Sequence, residues 1–98
     1  MIIVSENSSQ REVFQVSGAQ IRAARALLGI SSQALSELSD VGWATIRRFE
    51  EGSGIPPNRG GTLARVASAL ERAGIEFFGD PIQSPGVRLH RDRVQRDN

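Results

Sequence analysis

Apolar residues recur every three or four positions through the middle of the chain, which is the spacing of one face of an α-helix. The pattern predicts four helices, over residues 17–28, 31–38, 43–51 and 62–73. Each is too short to be stable alone in water, so the four are expected to share one small core. The residues predicted to form that core are Ile21, Leu28, Leu35, Leu38, Val41, Ile46, Phe49, Leu63, Val66 and Leu70.

Small and polar residues mark the ends of these predicted helices. Ser17, Ser31 and Thr62 each stand where a side-chain oxygen can accept a hydrogen bond from the first turn, as an N-cap does. Gly29 suits the left-handed backbone that follows a helix C-terminus. Asp40 falls in the next break, and aspartate adopts that conformation with less strain than most residues.

Residues 28–52 are the most informative stretch, because they place two short helices back to back with a tight turn between them. That arrangement is a helix-turn-helix, whose second helix is shaped to enter the major groove of DNA. In the second helix Ile46 and Phe49 lie on one face, so Arg47 and Arg48 must point largely outward. The pattern therefore indicates a DNA-binding protein with a recognition helix at about 43–51.

Over about residues 17–74 the chain resembles the Cro and lambda-repressor-like helix-turn-helix family, also called the xenobiotic-response-element family. The matching positions are Arg25, Leu28-Gly29-Ile30-Ser31, Leu35, Val41, Thr45-Ile46 and Glu50-x-Gly52. The resemblance implies a mainly α fold, a lambda-repressor-like DNA-binding domain of four to five helices. Here it would carry a short C-terminal β-hairpin.

The resemblance also implies roles for individual residues. In such proteins the positions matching Trp43, Ala44 and Arg48 face base edges, whereas that of Ser32 faces phosphate, as does the loop after Gly52. Ser32 replaces the usual glutamine, although Gln33 is adjacent, and Gly42 replaces the usual serine cap. The residues predicted to bind DNA are Ser32, Gln33, Gly42, Trp43, Ala44, Thr45, Arg47, Arg48 and Arg59.

Two further features of this stretch are the pair Arg25 and Glu50 and the tryptophan at position 43. The positions matching Arg25 and Glu50 form a largely buried ion pair in the family, which ties the first helix to the recognition helix. Trp43 has three open interpretations: it covers the edge of the core, contacts a thymine methyl group or a sugar, or anchors a protein interface.

Composition narrows the function classes. The chain has 98 residues, a net charge of +1, no cysteine and one histidine, and all of its twelve basic residues are arginine. Neither a metal site nor a cofactor is expected, and no catalytic constellation is recognisable, so an enzyme is not predicted. No apolar stretch is long enough to cross a membrane. A cytoplasmic location is expected, on the nucleoid when DNA is bound.

The flanking segments differ from the helical middle. Residues 1–16 are predicted to be an N-terminal arm or strand. Residues 75–89 read as two short strands around a Gly/Pro-rich loop, a β-hairpin with Val87 and Leu89 on one side and Arg88 on the other. Residues 90–98 are predicted to be a flexible tail.

Two hypotheses for function follow. The first is a transcriptional regulator that binds specific double-stranded DNA as a homodimer, with Arg48 reading a base and Arg47, Arg59 and Ser32 holding phosphates. The second is a protein-interaction module that uses the helix-turn-helix as a scaffold. It would be antitoxin-like, or bind a transcription factor or a polymerase subunit. The low net charge of the chain and the position of Trp43 at the start of the recognition helix favour this second hypothesis.

Overall fold

Four α-helices followed by a two-stranded antiparallel sheet form the part of the chain that the computed structural model describes, residues 15–93. The predictions made for residues 1–14 and 94–98 lie outside the described residues. The elements are α1 (Gly18–Leu28), α2 (Ser32–Ser39), α3 (Trp43–Glu51), α4 (Thr62–Arg72), β1 (Ile75–Phe78) and β2 (Gly86–Leu89), with short 3-10 turns at Arg59–Gly61 and Arg91–Arg93. No helix within residues 15–93 combines the length and the apolar character needed to span a membrane.

The predicted ends of the first two helices are confirmed by their hydrogen bonds. The Ser17 hydroxyl accepts from the Gln20 N–H at 3.2 Å, and the Gln20 side-chain oxygen accepts from the Ser17 N–H at 3.0 Å, which completes a capping box. The Ser31 hydroxyl accepts from the Ala34 N–H at 3.0 Å. Gly29 and Asp40 adopt left-handed backbone with φ of 69° and 57°. Local side-chain chemistry thus sets the bounds of α1 and α2.

The predicted Thr62 cap of the fourth helix is wrong. Thr62 is the first residue of α4, and its hydroxyl donates to the carbonyl of Arg59 at 2.9 Å. The cap is supplied from further back, where the Asn58 side-chain oxygen accepts from the Ala64 N–H at 3.0 Å. Gly60 and Gly61, with φ of 60° and 75°, turn the chain so that Asn58 reaches over the start of the helix. That turn is a property of the loop, which helical periodicity does not report.

The core contains eight of the ten predicted residues, and both exceptions are leucines at helix ends. Leu28 is only partly buried and packs against the core edge. Leu38 is 51% exposed, so its assignment to the core was wrong. A helix turns roughly 100° per residue, so residues four positions apart lie on nearly the same face. In α2 the inward face consists of Leu35 and Ser39. Ser39 is buried in place of Leu38 and satisfies its hydroxyl on the Leu35 carbonyl at 2.7 Å.

The predicted hairpin is confirmed. β1 and β2 pair antiparallel from Ile75 opposite Leu89 to Phe78 opposite Gly86. Val87 and Leu89 pack against the core, whereas Arg88 is exposed. The sheet lies against both α1 and α4, and the buried Gln20 joins it to α1 because its side-chain amide donates to the carbonyls of Phe78 and Gly86 at 3.3 and 3.0 Å. A hairpin that is unstable alone is thereby held to the helices.

Hydrogen bonds continue past the hairpin, to the position where the sequence predicted the tail to begin. The backbone N–H of His90 donates to the carbonyl of Gly74 at 2.8 Å, and its ring nitrogen is hydrogen-bonded to the Glu76 carboxylate at 2.6 Å. Arg88 lies 3.1 Å from the same carboxylate. The pKa of Glu76 is lowered chiefly by the hydrogen bond with His90 and further by Arg88. His90 therefore belongs to the folded domain.

Gly18 allows the start of α1 to lie directly against the end of α3. Its backbone N–H donates to the carbonyl of Gly54 at 2.9 Å. A Cβ atom at this position would overlap the carbonyl oxygens of Phe49 and Gly52. Because both obstacles are backbone atoms, they cannot move aside as a side chain would.

Replacing Gly18 with alanine is therefore expected to destabilise the domain by about 1–3 kcal/mol, the usual cost of overpacking. Gly54→Ala is the matched control, since a Cβ atom there meets no heavy atom outside its own chain neighbours. Chemical denaturation followed by circular dichroism measures both. Equal stability of the two variants would contradict the proposed role of this contact.

Candidate nucleic-acid interface

The helices α2 and α3 and the turn between them form a helix-turn-helix unit packed on α1 and α4. The turn is held by its side chain and by its backbone. The Val41 side chain is buried, and the Val41 carbonyl accepts a hydrogen bond from the Ser36 hydroxyl at 2.7 Å. Ile46 and Phe49 point into the core from α3. The opposite face of α3 is consequently turned away from the domain.

This outward face carries most of the residues that the sequence predicted to bind DNA. Trp43, Ala44, Arg47 and Arg48 are exposed, and Thr45 is half-buried. Gly42, just before the helix, is exposed as well, and it offers no side-chain cap to α3. Ser32 and Gln33 lie in the first turn of α2, where Ser32 is half-buried and Gln33 exposed.

Ser32, Trp43 and Arg47 come together on one side of this face. The indole N–H of Trp43 donates to the Ser32 hydroxyl oxygen at 2.9 Å, and the residue is 47% exposed. The guanidinium carbon of Arg47 lies 5.0 Å from the centre of the ring, a cation–π distance. Trp43 is thus not buried in the core, and its exposed surface is available to DNA or to a protein.

Arg48 and Arg59 come together on the other side. They line an open cleft of about 520 Å³ between α3 and the loop that leads to α4, together with the hydroxyl-bearing Thr45 and Thr62. Pro56 and Pro57 form part of the opposite wall. Cationic forks and hydroxyl groups of this kind are suited to binding phosphate oxygens and base edges.

The two ends of α3 are held differently, and its C-terminal end is tied to α1 by an ion pair. Arg25 donates two hydrogen bonds of 2.9 Å to the two carboxylate oxygens of Glu50, and a third of 3.0 Å to the Ile30 carbonyl. The Glu50 side chain is 9% exposed and that of Arg25 is 27% exposed. The hydrogen bond to Glu50 raises the pKa of Arg25 despite its partial desolvation. The pair that the resemblance implied is present as a bidentate contact.

Arg22 is a second tie that sequence reasoning missed. Its guanidinium donates to the carbonyl of Glu50, and to that of Gly52 at 2.9 Å. These carbonyls have no partner within the helix, and a cation at a helix C-terminus also interacts favourably with the helix dipole. The spacing of Arg22 and Arg25, three residues apart, places both on one face of α1 and was the available signal.

In comparisons with protein-family models, curated proteins and solved structures, nothing matches this chain. The family resemblance remains an expectation from the sequence. The candidate interface therefore depends on its own geometry, in which the outward face of α3 carries Arg47 and Arg48, Arg59 lies on the following loop, and α1 holds the C-terminal end of the helix.

Replacing Arg25 with methionine is expected to destabilise the domain by about 3 kcal/mol, because it leaves the Glu50 carboxylate desolvated without a partner. The double variant Arg25→Met/Glu50→Met should be more stable than Arg25→Met alone, since it removes the stranded charge as well. The measurement is urea unfolding at neutral pH.

Arg65→Met is the control for this comparison, because Arg65 is an exposed arginine on α4. Its effect should stay within about 0.5 kcal/mol, as for most surface substitutions. A double variant less stable than Arg25→Met would show that the stranded carboxylate is not the source of the loss.

Proposed function

We propose that this protein is a transcriptional regulator that binds double-stranded DNA sequence-specifically as a homodimer, with α3 in the major groove. The observation that supports the proposal most is the outward face of α3, where Arg47 and Arg48, with Arg59 beside them, are exposed. None of the three forms an ion pair within residues 15–93. Unpaired cations grouped on one surface suit a polyanionic partner.

The dimensions of α3 are compatible with this role. A helix with its side chains is about 10–12 Å wide, and the major groove is about 12 Å wide. A recognition helix that lies in the major groove brings its outward side chains to the base edges. In the proposed complex Arg48 donates to the two acceptors of a guanine, and Arg59 and Ser32 hold phosphates on either side.

A homodimer supplies what one copy of this domain lacks. A single α3 can contact only a few base pairs, whereas a two-fold dimer reads two half-sites about one helical turn apart, roughly 34–36 Å. The described core is small, and association would also stabilise it. Under this proposal the protein acts in the cytoplasm and on the nucleoid.

A second candidate is a protein-interaction module, and the exposure of Trp43 favours it. Tryptophan is among the residues that most often anchor protein interfaces, and this one is 47% exposed on the face in question. The partner would be a transcription factor, a polymerase subunit or a toxin. In that case the helix-turn-helix serves as a scaffold, and DNA is not bound even at low salt.

A salt titration separates the two candidates. Trp43 is the only tryptophan of the chain and lies on the candidate interface, so its fluorescence should respond to a DNA duplex taken from the promoter of the protein's own gene. The logarithm of the association constant should fall against the logarithm of salt concentration with a slope of about −0.9 for each phosphate contacted. An unchanged fluorescence with this duplex at low salt, together with no shift in a gel, would favour the protein partner.

Replacing Arg48 with alanine is expected to weaken binding to the preferred duplex by about 1–3 kcal/mol and to relax the preference at one base position. The reason is the loss of two hydrogen bonds to one guanine. Competition with duplexes that differ at single base pairs measures both effects.

Arg65→Ala on the far helix α4 is the matched control, and it should leave the base preference unchanged. An Arg48→Ala variant with the affinity and selectivity of the wild type would show that α3 does not dock as proposed.

A further inference from the structure

We infer that Trp43 and Arg47 form a preassembled pair that reads a thymine next to a guanine in the major groove. The inference rests on the proposed function and deepens it, because it names the DNA sequence that one side of α3 recognises. It assigns Arg47 to a base, where the sequence alone had assigned it to a phosphate.

Trp43 offers a ligand the exposed part of its indole ring. An indole ring has a single polar group, its N–H, and here that group already donates to Ser32 at 2.9 Å. What remains on the exposed half of the side chain is apolar carbon. In the major groove the apolar feature is the C5-methyl group of thymine. The tethered indole is therefore suited to a thymine methyl group.

Arg47 is the second member of the pair and lies against Trp43. One face of its guanidinium lies over the Trp43 ring at 5.0 Å, which leaves the donors around the edge of the group available. No carboxylate within residues 15–93 forms an ion pair with it. A planar fork of donors matches the N7 and O6 acceptors of guanine, which is the commonest specific contact of arginine in the major groove.

The indole ring and the guanidinium lie close together compared with the spacing of base pairs. Successive base pairs are about 3.4 Å apart along the helix axis, and the guanidinium carbon and the centre of the indole ring are 5.0 Å apart. Groups this close reach neighbouring bases and cannot span several. The pair is thus suited to a thymine and a guanine on adjacent steps.

The other arginines are placed for different contacts. Arg48 and Arg59 line the cleft between α3 and the following loop, together with Thr45 of that helix. Trp43 and Arg47 do not line that cleft. The two sides of α3 can therefore be tested separately by substitution.

The experiment begins with the full-length protein and a library of randomised DNA duplexes, from which bound sequences are selected. Each thymine of the selected duplex is then replaced in turn by uracil, which removes only the methyl group. A single uracil in the duplex should weaken binding about fourfold, the effect of the roughly 0.8 kcal/mol that one buried methylene-sized group contributes. Replacing the neighbouring guanine by its 7-deaza analogue, which lacks the N7 acceptor, should weaken binding about tenfold.

Two variants assign these effects to residues. With Trp43→Ala the thymine and uracil duplexes should bind equally well, because the apolar surface that contacts the methyl group is gone. Arg47→Ala should remove the response to the 7-deaza analogue. Arg48→Ala is the matched control: it should bind more weakly overall and keep the fourfold preference for thymine over uracil.

The outcomes separate the inference from the function on which it rests. Failure of the selection to enrich any sequence, with no binding at low salt, would overturn the proposed function and the inference together. A selected duplex that binds tightly but tolerates uracil at every thymine would overturn the inference alone. So would a preference for thymine that persists in Trp43→Ala.

Discussion

The orientation of α3 depends on the two arginines of α1 that hold its C-terminal end. Arg25 makes a bidentate ion pair with Glu50, and Arg22 donates to the carbonyls that end the helix. A nine-residue helix has little stability of its own, and Gly42 gives α3 no side-chain cap at its other end. The closeness of Gly18 to the last turn of α3 brings the two helices near enough for these contacts. Ile46 and Phe49 determine which face of α3 turns inward, and these contacts hold the helix in that orientation.

One residue type, arginine, therefore has two separate uses in this domain. Arg22 and Arg25 are hydrogen-bonded to acceptors at the C-terminal end of α3. Arg47, Arg48 and Arg59 are instead exposed on or beside its outward face. The net charge of +1 averages over both groups and over the acidic residues elsewhere. The distribution of charge is for this reason a better guide to a partner than the total, and it places three exposed arginines on or beside the outward face of α3.

The helices, most of the core and the hairpin could be predicted because they follow from local rules of spacing and capping. The prediction of Leu38 as a core residue was wrong because tertiary packing decides which residues of the two-turn helix α2 face inward. The prediction of Thr62 as a cap was wrong because the cap of α4 depends on the conformation of the glycine-containing loop before it. For the candidate site, sequence reasoning named the residues but not their grouping. Ser32 and Trp43 are eleven positions apart and meet only because the turn at Val41 brings the two helix starts together.

The contact between Ser32 and Trp43 holds the start of α3, as the contacts of Arg22 and Arg25 hold its end. The hydrogen bond from Trp43 to Ser32 joins the first turns of α2 and α3, and Arg47 lies against the same ring. Ordering a long side chain on binding costs about 0.5–1.5 kcal/mol. A ring and a guanidinium that are already in place avoid part of that cost. In the proposed complex the contacts made by this pair would therefore contribute more fully to discrimination between sequences than those of a freely rotating arginine.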